Sequence, residues 1–174
     1  MVPTLNAARL LLQEIEAEDQ AFIFEGLSHP DVIPFYGVRY DTFEATAAQM
    51  DWYRQLEEKG SGTAWKLVEK SNGQKAGVIA VYSYRPEHNK AEVGFWLLPQ
   101  FWKKGYALEA LQEVLRYWKN NKALHRMEAF VEEGNTASSK LLQRAGFQYE
   151  GTMRDCEIKN GTYISLQIYA HILS

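Results

Sequence analysis

The stretch AEVGFWLLPQFWKKGYALEAL, Ala91 to Leu111, holds the residues best suited to gripping a charged ligand. A helix leaves its first four backbone N–H groups unpaired, and a Ser, Thr, Asp or Asn cap ordinarily satisfies some of them. Between Trp102 and Leu108 there is no such residue, and the helix entry reads Lys103-Lys104-Gly105-Tyr106-Ala107. Free N–H groups, the positive end of a helix dipole and two lysines make an anion site, which after a strand suits a diphosphate better than a lone carboxylate. A glycine that only makes a tight turn, with solvated lysines, fits the same spacing equally well. No G-x-G-x-x-G follows a strand, and no G-x-x-x-x-G-K followed by Ser or Thr occurs, which disfavours a Rossmann dinucleotide enzyme and a P-loop NTPase. His29, His88, His125 and His171 lack ligand spacing, so no metal is expected. The single cysteine, Cys156, excludes an internal disulfide and a multi-cysteine zinc site; it reads as a packed thiol rather than a nucleophile.

These residues need a scaffold, and the alternation of patterns supplies one. A strand is expected over 8–16, a helix over 17–28 that stops before His29-Pro30, and a helix over 43–59 ending at Gly60. Strands over 63–70, 75–84 and 91–98 form an antiparallel meander, the first two joined through Asn72-Gly73. The segment 106–119 carries Ala107, Leu111, Val114, Leu115 and Trp118 on one helical face. A short strand at 127–132, a helix at 135–145 and a hairpin pairing 152–159 with 162–171 across Asn160-Gly161 complete the chain. The 91–132 portion is a βαβ unit with parallel strands, so the class is α+β, a mixed sheet flanked by helices.

The 174 residues, 46% hydrophobic and 24% charged, suit one domain spanning 1–174. A net charge of -3 announces no nucleic-acid partner. No apolar run reaches the ~20 residues of a membrane helix, and the acidic turn after Leu10-Leu11-Leu12 is unlike a secretory signal. A soluble cytoplasmic protein is the expectation.

The sequence resembles the GNAT family of acetyl-CoA-dependent N-acetyltransferases, and within it the Rim-type branch that acetylates ribosomal-protein N-termini. The family's diphosphate motif runs Arg or Gln, two residues, Gly, one residue, then Gly or Ala; here it is Trp102-Lys103-Lys104-Gly105-Tyr106-Ala107. Further matches are Ala8-Arg9-Leu10-Leu11-Leu12, Ala91-Glu92-Val93-Gly94-Phe95-Trp96, Glu109 and Asn135-Thr136-Ala137-Ser138. Ala145-Gly146-Phe147 with Glu150-Gly151, then Asn160-Gly161-Thr162-Tyr163 with Tyr169-Ala170, follow in order. The resemblance implies a GNAT-like, mostly antiparallel sheet whose central parallel strands, 91–98 and 127–132, splay to admit the pantetheine arm of acetyl-CoA. It places the arm's amides against Phe95, Trp96, Leu97 and Leu98, the pyrophosphate over Lys103, Lys104, Gly105, Tyr106 and Ala107, and Asn135 and Ser138 beside the cofactor.

Attack of an amine on a thioester requires a neutral amine, stabilisation of a developing oxyanion and a proton for the leaving thiolate. An α-amine titrates near pH ~8 and a thiol near ~8.5, so neither step demands a strong catalyst. Backbone N–H groups around Leu97 are the natural oxyanion donors. Glu157, aligned with a glutamate proposed as base in Rim-type relatives, should pair across the hairpin with Ile164, an apolar neighbour that would raise its pKa; a solvated strand carboxylate fits equally. Glu92 reads first as a solvent-facing residue alternating with Val93, and second as a base on the strand nearing the thioester. Glu150 reads as structural. Ser138 matches the hydroxyl that the family places near the sulfur, and Asn135 and Ser138 equally suit a helix N-terminus. Relatives often carry an aspartate after Tyr in the last strand, where this chain has Tyr163-Ile164-Ser165. Phe35, Tyr36, Tyr40, Trp52 and Tyr53 could line an acceptor groove, although the helical spacing of Trp52 favours the core.

The expectation is direct transfer in a ternary complex to a primary amine, first a protein N-terminus, with CoA as product. A polyamine, amino acid or aminoglycoside is the alternative acceptor, and a non-catalytic acyl-CoA sensor the alternative role. The chain would act as a monomer or homodimer, without nucleic acid or membrane.

Overall fold

Period-two strands and period-3.6 helices alternate much as the sequence pattern requires. The computed structural model describes residues 1–173. Its strands are β1 (Leu5–Asn6), β2 (Leu10–Glu14), β3 (Thr63–Glu69), β4 (Lys75–Arg85), β5 (Lys90–Leu97), β6 (Arg126–Glu132), β7 (Gln148–Lys159) and β8 (Thr162–Ile172). The helices are α1 (Gln20–Ser28), α2 (Ala47–Glu58), α3 (Tyr106–Lys122) and α4 (Thr136–Arg144). One eight-stranded sheet runs β1-β2-β3-β4-β5-β6-β8-β7. Every adjacent pair in it is antiparallel except β5 with β6. The fold is therefore the mixed α+β arrangement expected.

Both faces of the central sheet are covered. α1 lies over one face, with Phe22 and Trp96 ring centroids 5.3 Å apart. α2 shares that face, where Trp52 meets Tyr82 edge-on at 5.5 Å. α3 covers the other, with Tyr117 edge-on to Trp65 at 5.7 Å. Tyr106, Ala110, Leu111, Val114, Leu115 and Trp118 of α3 are buried, so the predicted stripe holds except at Ala107, which is half-buried. Burial on both faces explains why β3 reads as a nearly continuous buried run instead of alternating. No helix among the described residues is long and apolar enough to cross a membrane.

Several expectations are corrected. The first strand is shorter than 8–16, and β1 folds back onto it, pairing Leu5 with Leu12. Residues 44–46 form a 3-10 turn before α2 begins at Ala47. β7 starts at Gln148, not 152, because Glu150-Gly151, which resembles a turn, is instead a register shift inside the strand. A second shift lies between Met153 and Glu157, where Asp155 has φ of +50°. Cys156, expected to be packed, is exposed on this distorted strand. The Asn160-Gly161 turn holds both residues in the left-handed region, φ +51° and +75°, as a two-residue hairpin demands.

Candidate active site

The parallel pair is short. β5 and β6 share only Lys90–Arg126, Ala91–Met127 and Glu92–Glu128 before they separate. On its other side β5 follows β4 from Glu92 through Leu97, and the Leu98 N–H donates to the Ala76 carbonyl at 2.9 Å. Antiparallel ladders alternate, so Trp96 and Gly94 spend their main-chain groups on β4, while those of Phe95 and Leu97 point toward β6. No β6 residue is in register with them. The Leu97 carbonyl is taken by the indole N–H of Trp102 at 2.9 Å. The N–H and C=O of Phe95 and the N–H of Leu97 thus line the gap without a sheet partner. Since buried amides demand partners, an extended, amide-bearing arm fits this fork.

Because β5 and β6 are parallel, their C-terminal ends lie together, and the helices that follow them both begin at the open end of the fork. α3 starts on Gly105 with φ of +78° and no side-chain cap. Lys103 is also left-handed, φ +60°, and Lys103, Lys104 and Gly105 are exposed while Tyr106 is buried. The first N–H groups of this turn have no side-chain cap, the arrangement that an anion site at a helix entry requires. Beneath it the Tyr106 hydroxyl bonds the buried Glu69 carboxylate, which also accepts from Asn72 and Ser71. Above it lies Arg9, whose guanidinium sits 4.6 Å from the Tyr106 ring centroid. A Cβ built on Gly105 would stand 3.3 Å from Arg9 Nη2. Arg9 Nε donates to Glu109 at 2.8 Å, and the same carboxylate accepts the N–H of Arg9 and of Leu10. At α4, Asn135 caps the helix by accepting from the Ser138 N–H at 3.3 Å. The Ser138 side chain is half-buried.

The closed end of the fork is acidic. Glu92, expected to face solvent, is half-buried and in register with Glu128 on β6 and Tyr82 on β4. Burial first, and the Glu128 carboxylate second, raise its pKa against the opposing influence of Ser83, Lys90 and Arg85. Glu128 itself is held below its ordinary value: burial opposes this, but bonds from Arg126 at 2.8 Å and Lys90 at 3.2 Å prevail. Arg126 also bonds Glu150, giving that residue the structural role expected.

Glu92, Gly94 and Trp96 share the α1/α2 face with Tyr82. Gly94 leaves space there, since a Cβ on it would lie 3.2 Å from the Tyr82 hydroxyl. Burial pushes the Tyr82 and Tyr53 phenols up to about 12, so both stay protonated in the physiological range. Tyr36 is raised further by burial, and Tyr53, Tyr82 and Tyr40 add to the shift, so these rings converge. Trp52, placed in the core by its spacing, is 37% exposed at the rim of this cluster.

Glu157 behaves differently. It pairs with Ile164 as the hairpin arithmetic predicts, yet its side chain is exposed. The apolar cover assumed for it is missing because β7 is the edge of the sheet and is distorted at Asp155. Sequence reasoning did not single out Tyr82 or Arg9, which the structure brings beside Glu92 and Gly105. Arg9 lay inside a recognised stretch, but nothing local aims it at a turn 100 residues away.

Residues 9–148 match the family of the acetyltransferase (GNAT) domain. An uncharacterized N-acetyltransferase of Bacillus licheniformis, p20, is 31% identical over 168 residues, 96% of this chain and 94% of that protein. The uncharacterized N-acetyltransferase YoaA of Bacillus subtilis (strain 168) is 29% identical over 171 residues, 98% of this chain and 97% of its own. The acetyl transferase of Salmonella typhimurium that modifies the N-terminal serine of 50S ribosomal subunit protein L7/L12 has the same fold, with a TM-score of 0.90 at 20% identity over 99% of this chain and 100% of that one. A forked mixed sheet with an uncapped helix at its open end defines an acyl-CoA-dependent transferase. The chain belongs to the GNAT acetyltransferase family and is an acetyl-CoA-dependent N-acetyltransferase.

Proposed function

We propose that this enzyme acetylates the α-amine of a protein N-terminus, of the ribosomal-protein type, by direct attack in a ternary complex, with Glu92 as general base. The observation that carries the assignment is the half-buried Glu92 carboxylate, its pKa raised, at the vertex of the fork. A base is most effective when its pKa approaches the working pH, and Glu92 moves in that direction. The exposed Glu157 has no such environment.

Acetyl-CoA supplies an activated acyl group as a thioester. Of the two N–H groups that face the gap, those of Phe95 and Leu97, one serves the thioester oxygen as oxyanion donor and the other an amide of the arm; Trp96 and Leu98 fix them by pairing with β4. Lys103, Lys104, Gly105, Tyr106 and Ala107 hold the diphosphate, chiefly through main-chain N–H groups. Asn135 orients the start of α4, and the Ser138 hydroxyl there passes its proton to the departing sulfur and is reprotonated by the second proton that the newly bonded nitrogen sheds. Glu92 takes the ammonium proton directly or through one water, while the Tyr82 hydroxyl beside Gly94 steadies the incoming nitrogen. The tyrosine-lined face between α1 and α2 receives the residue bearing the amine. The preference for a protein acceptor draws on the likeness to the Salmonella typhimurium L7/L12 acetyltransferase.

The test is thiol release from acetyl-CoA against a panel of N-terminal peptides, polyamines, amino acids and aminoglycosides. Release with peptides bearing a free α-amine, lost when that amine is blocked, is expected. Release with small amines alone would move the acceptor to that class, and CoA binding without release from any amine would make the protein a sensor.

A further inference from the structure

We propose that Arg9, the residue immediately before β2, supplies a side-chain contact to the cofactor diphosphate, and that Glu109 and Tyr106 hold its guanidinium for that purpose. The inference rests on the assignment of the α3 entry as the diphosphate site.

Four features of the geometry lead to it. The guanidinium overlies Gly105, the residue around which the bare N–H groups are arranged, with Nη2 3.3 Å from the position of a Cβ there. Only Nε is committed, to Glu109 at 2.8 Å; Nη1 and Nη2 bond no other described residue. The side chain remains half-exposed, at 50%, so these nitrogens are open to a ligand. Finally, its position is fixed in advance. Glu109 accepts the main-chain N–H of Arg9 at 2.5 Å and of Leu10 at 3.2 Å, and Tyr106 stacks beneath the guanidinium.

A tie between β2 and α3 needs only the Nε contact and the stacking on Tyr106, and leaves Nη1 and Nη2 without a task. Glu109 lies in the first turn of α3, where the helix dipole already favours a carboxylate, and besides the Arg9 guanidinium it accepts two backbone N–H groups, Arg9's own and that of Leu10. The other cations nearby are less well placed. Lys104 Nζ lies 5.5 Å over the Phe101 ring centroid, Lys103 is exposed, and Lys70 Nζ is occupied by Asn6 and the Ala7 carbonyl. Arg9 alone combines a planar pair of donors, which matches phosphate oxygens, with a pre-set position. It would add a charge-assisted contact to a cradle built chiefly of neutral amides.

The test is calorimetric affinity of the full chain for three probes: CoA, dephospho-CoA, which keeps the diphosphate but lacks the 3′-phosphate, and S-acetylpantetheine, which lacks both. For Arg9→Gln, affinity for CoA and dephospho-CoA should fall equally, about tenfold or more, with S-acetylpantetheine unchanged. Arg9→Lys, which keeps the charge but not the fork, should show the same pattern with a smaller loss, and it decides the matter if the Gln variant does not fold. Glu109→Gln, which frees the guanidinium but leaves it over Gly105, should weaken CoA binding less than Arg9→Gln. Equal losses for all three probes would reduce Arg9 to a structural tie. An unaffected dephospho-CoA would move the contact to the 3′-phosphate, and unchanged affinities in both Arg9 variants would remove it altogether; each overturns the proposal. If the unsubstituted protein binds S-acetylpantetheine but gains nothing from the diphosphate, it is the assignment of the cradle that fails.

Discussion

The indole N–H of Trp102 donates to the carbonyl oxygen of Leu97 at 2.9 Å, closing the loop between β5 and α3 where β6 no longer reaches. The wider family motif usually has Arg or Gln at position 102, whereas the Rim-type branch that the sequence resembles commonly has Trp, and here that aromatic donor ties down the strand that lines the gap. Trp102→Phe keeps an aromatic ring but removes the donor. A net hydrogen bond is worth about 1 kcal/mol, so CoA affinity should fall roughly fivefold and Tm by about 2–4 °C. Calorimetry and thermal melts check both.

Gly105 has φ of +78°, and Arg9 sits where a side chain would grow. Gly105→Glu places a carboxylate within reach of that guanidinium and into the anion cradle, so CoA binding should weaken more than about a hundredfold by steric block and like-charge repulsion. Gly105→Ala should cost about 1–2 kcal/mol of stability through backbone strain, visible as a lower Tm. Unchanged CoA affinity in the Glu variant would place the phosphates elsewhere.

Glu92 links rate and stability with opposite signs. As pH falls through its raised pKa the base is protonated, so kcat/KM should decline on the acidic side, and Glu92→Gln should lower kcat and abolish that limb. The fold favours the neutral carboxyl. The stability it contributes is therefore complete below the ordinary value of 4.5 and is lost as pH rises through the folded pKa. Glu92→Gln should accordingly melt higher than the parent near pH ~8, with the difference vanishing below about pH 4. A surviving acidic limb would exclude Glu92 as the base and leave Glu157 to be tested by the same substitution.

Asp19 is fully buried and holds Lys66 at 2.7 Å and Lys75 at 2.5 Å, fastening the start of α1 to β3 and β4. Burial alone would raise its pKa, but the two ammonium groups and the Glu16 N–H together hold it below the ordinary 3.8. Its contribution to stability is thus present above 3.8 and disappears as pH falls through the lowered value. Asp19→Asn leaves the buried Lys66 only its longer contact with Glu16 at 3.6 Å and should cost about 3 kcal/mol, a Tm loss on the order of 10 °C at neutral pH that narrows in acid. Thermal melts across pH measure it.

What could be read from the chain was what depends on neighbours in sequence. The Asn160-Gly161 turn, the Asn135 cap and the uncapped entry at Gly105 each follow from a few adjacent residues, and each has the backbone expected of it. The β3-β4-β5 meander, the parallel β5–β6 pair and the β7–β8 hairpin followed from local signals, whereas the insertion of β8 between β6 and β7 did not. Burial of carboxylates did not. Glu157 lies open because its strand is the last in the sheet and is kinked at Asp155, whereas Glu92 is enclosed by strands on both sides. Alternation along a single strand cannot tell an edge from a centre. Nor could it place Arg9 over Gly105, an arrangement created by Glu109 pinning β2 to α3.

Five strands lie on one side of the break and three on the other, and only three rungs join them. A guest that threads the break and bonds to Phe95 and Leu97 behaves as a surrogate ninth strand, restoring a ladder the polypeptide leaves unfinished. Loading with substrate should therefore slow amide hydrogen exchange on both sides of the seam, and discharge of product should let the two leaves of the sheet breathe apart again.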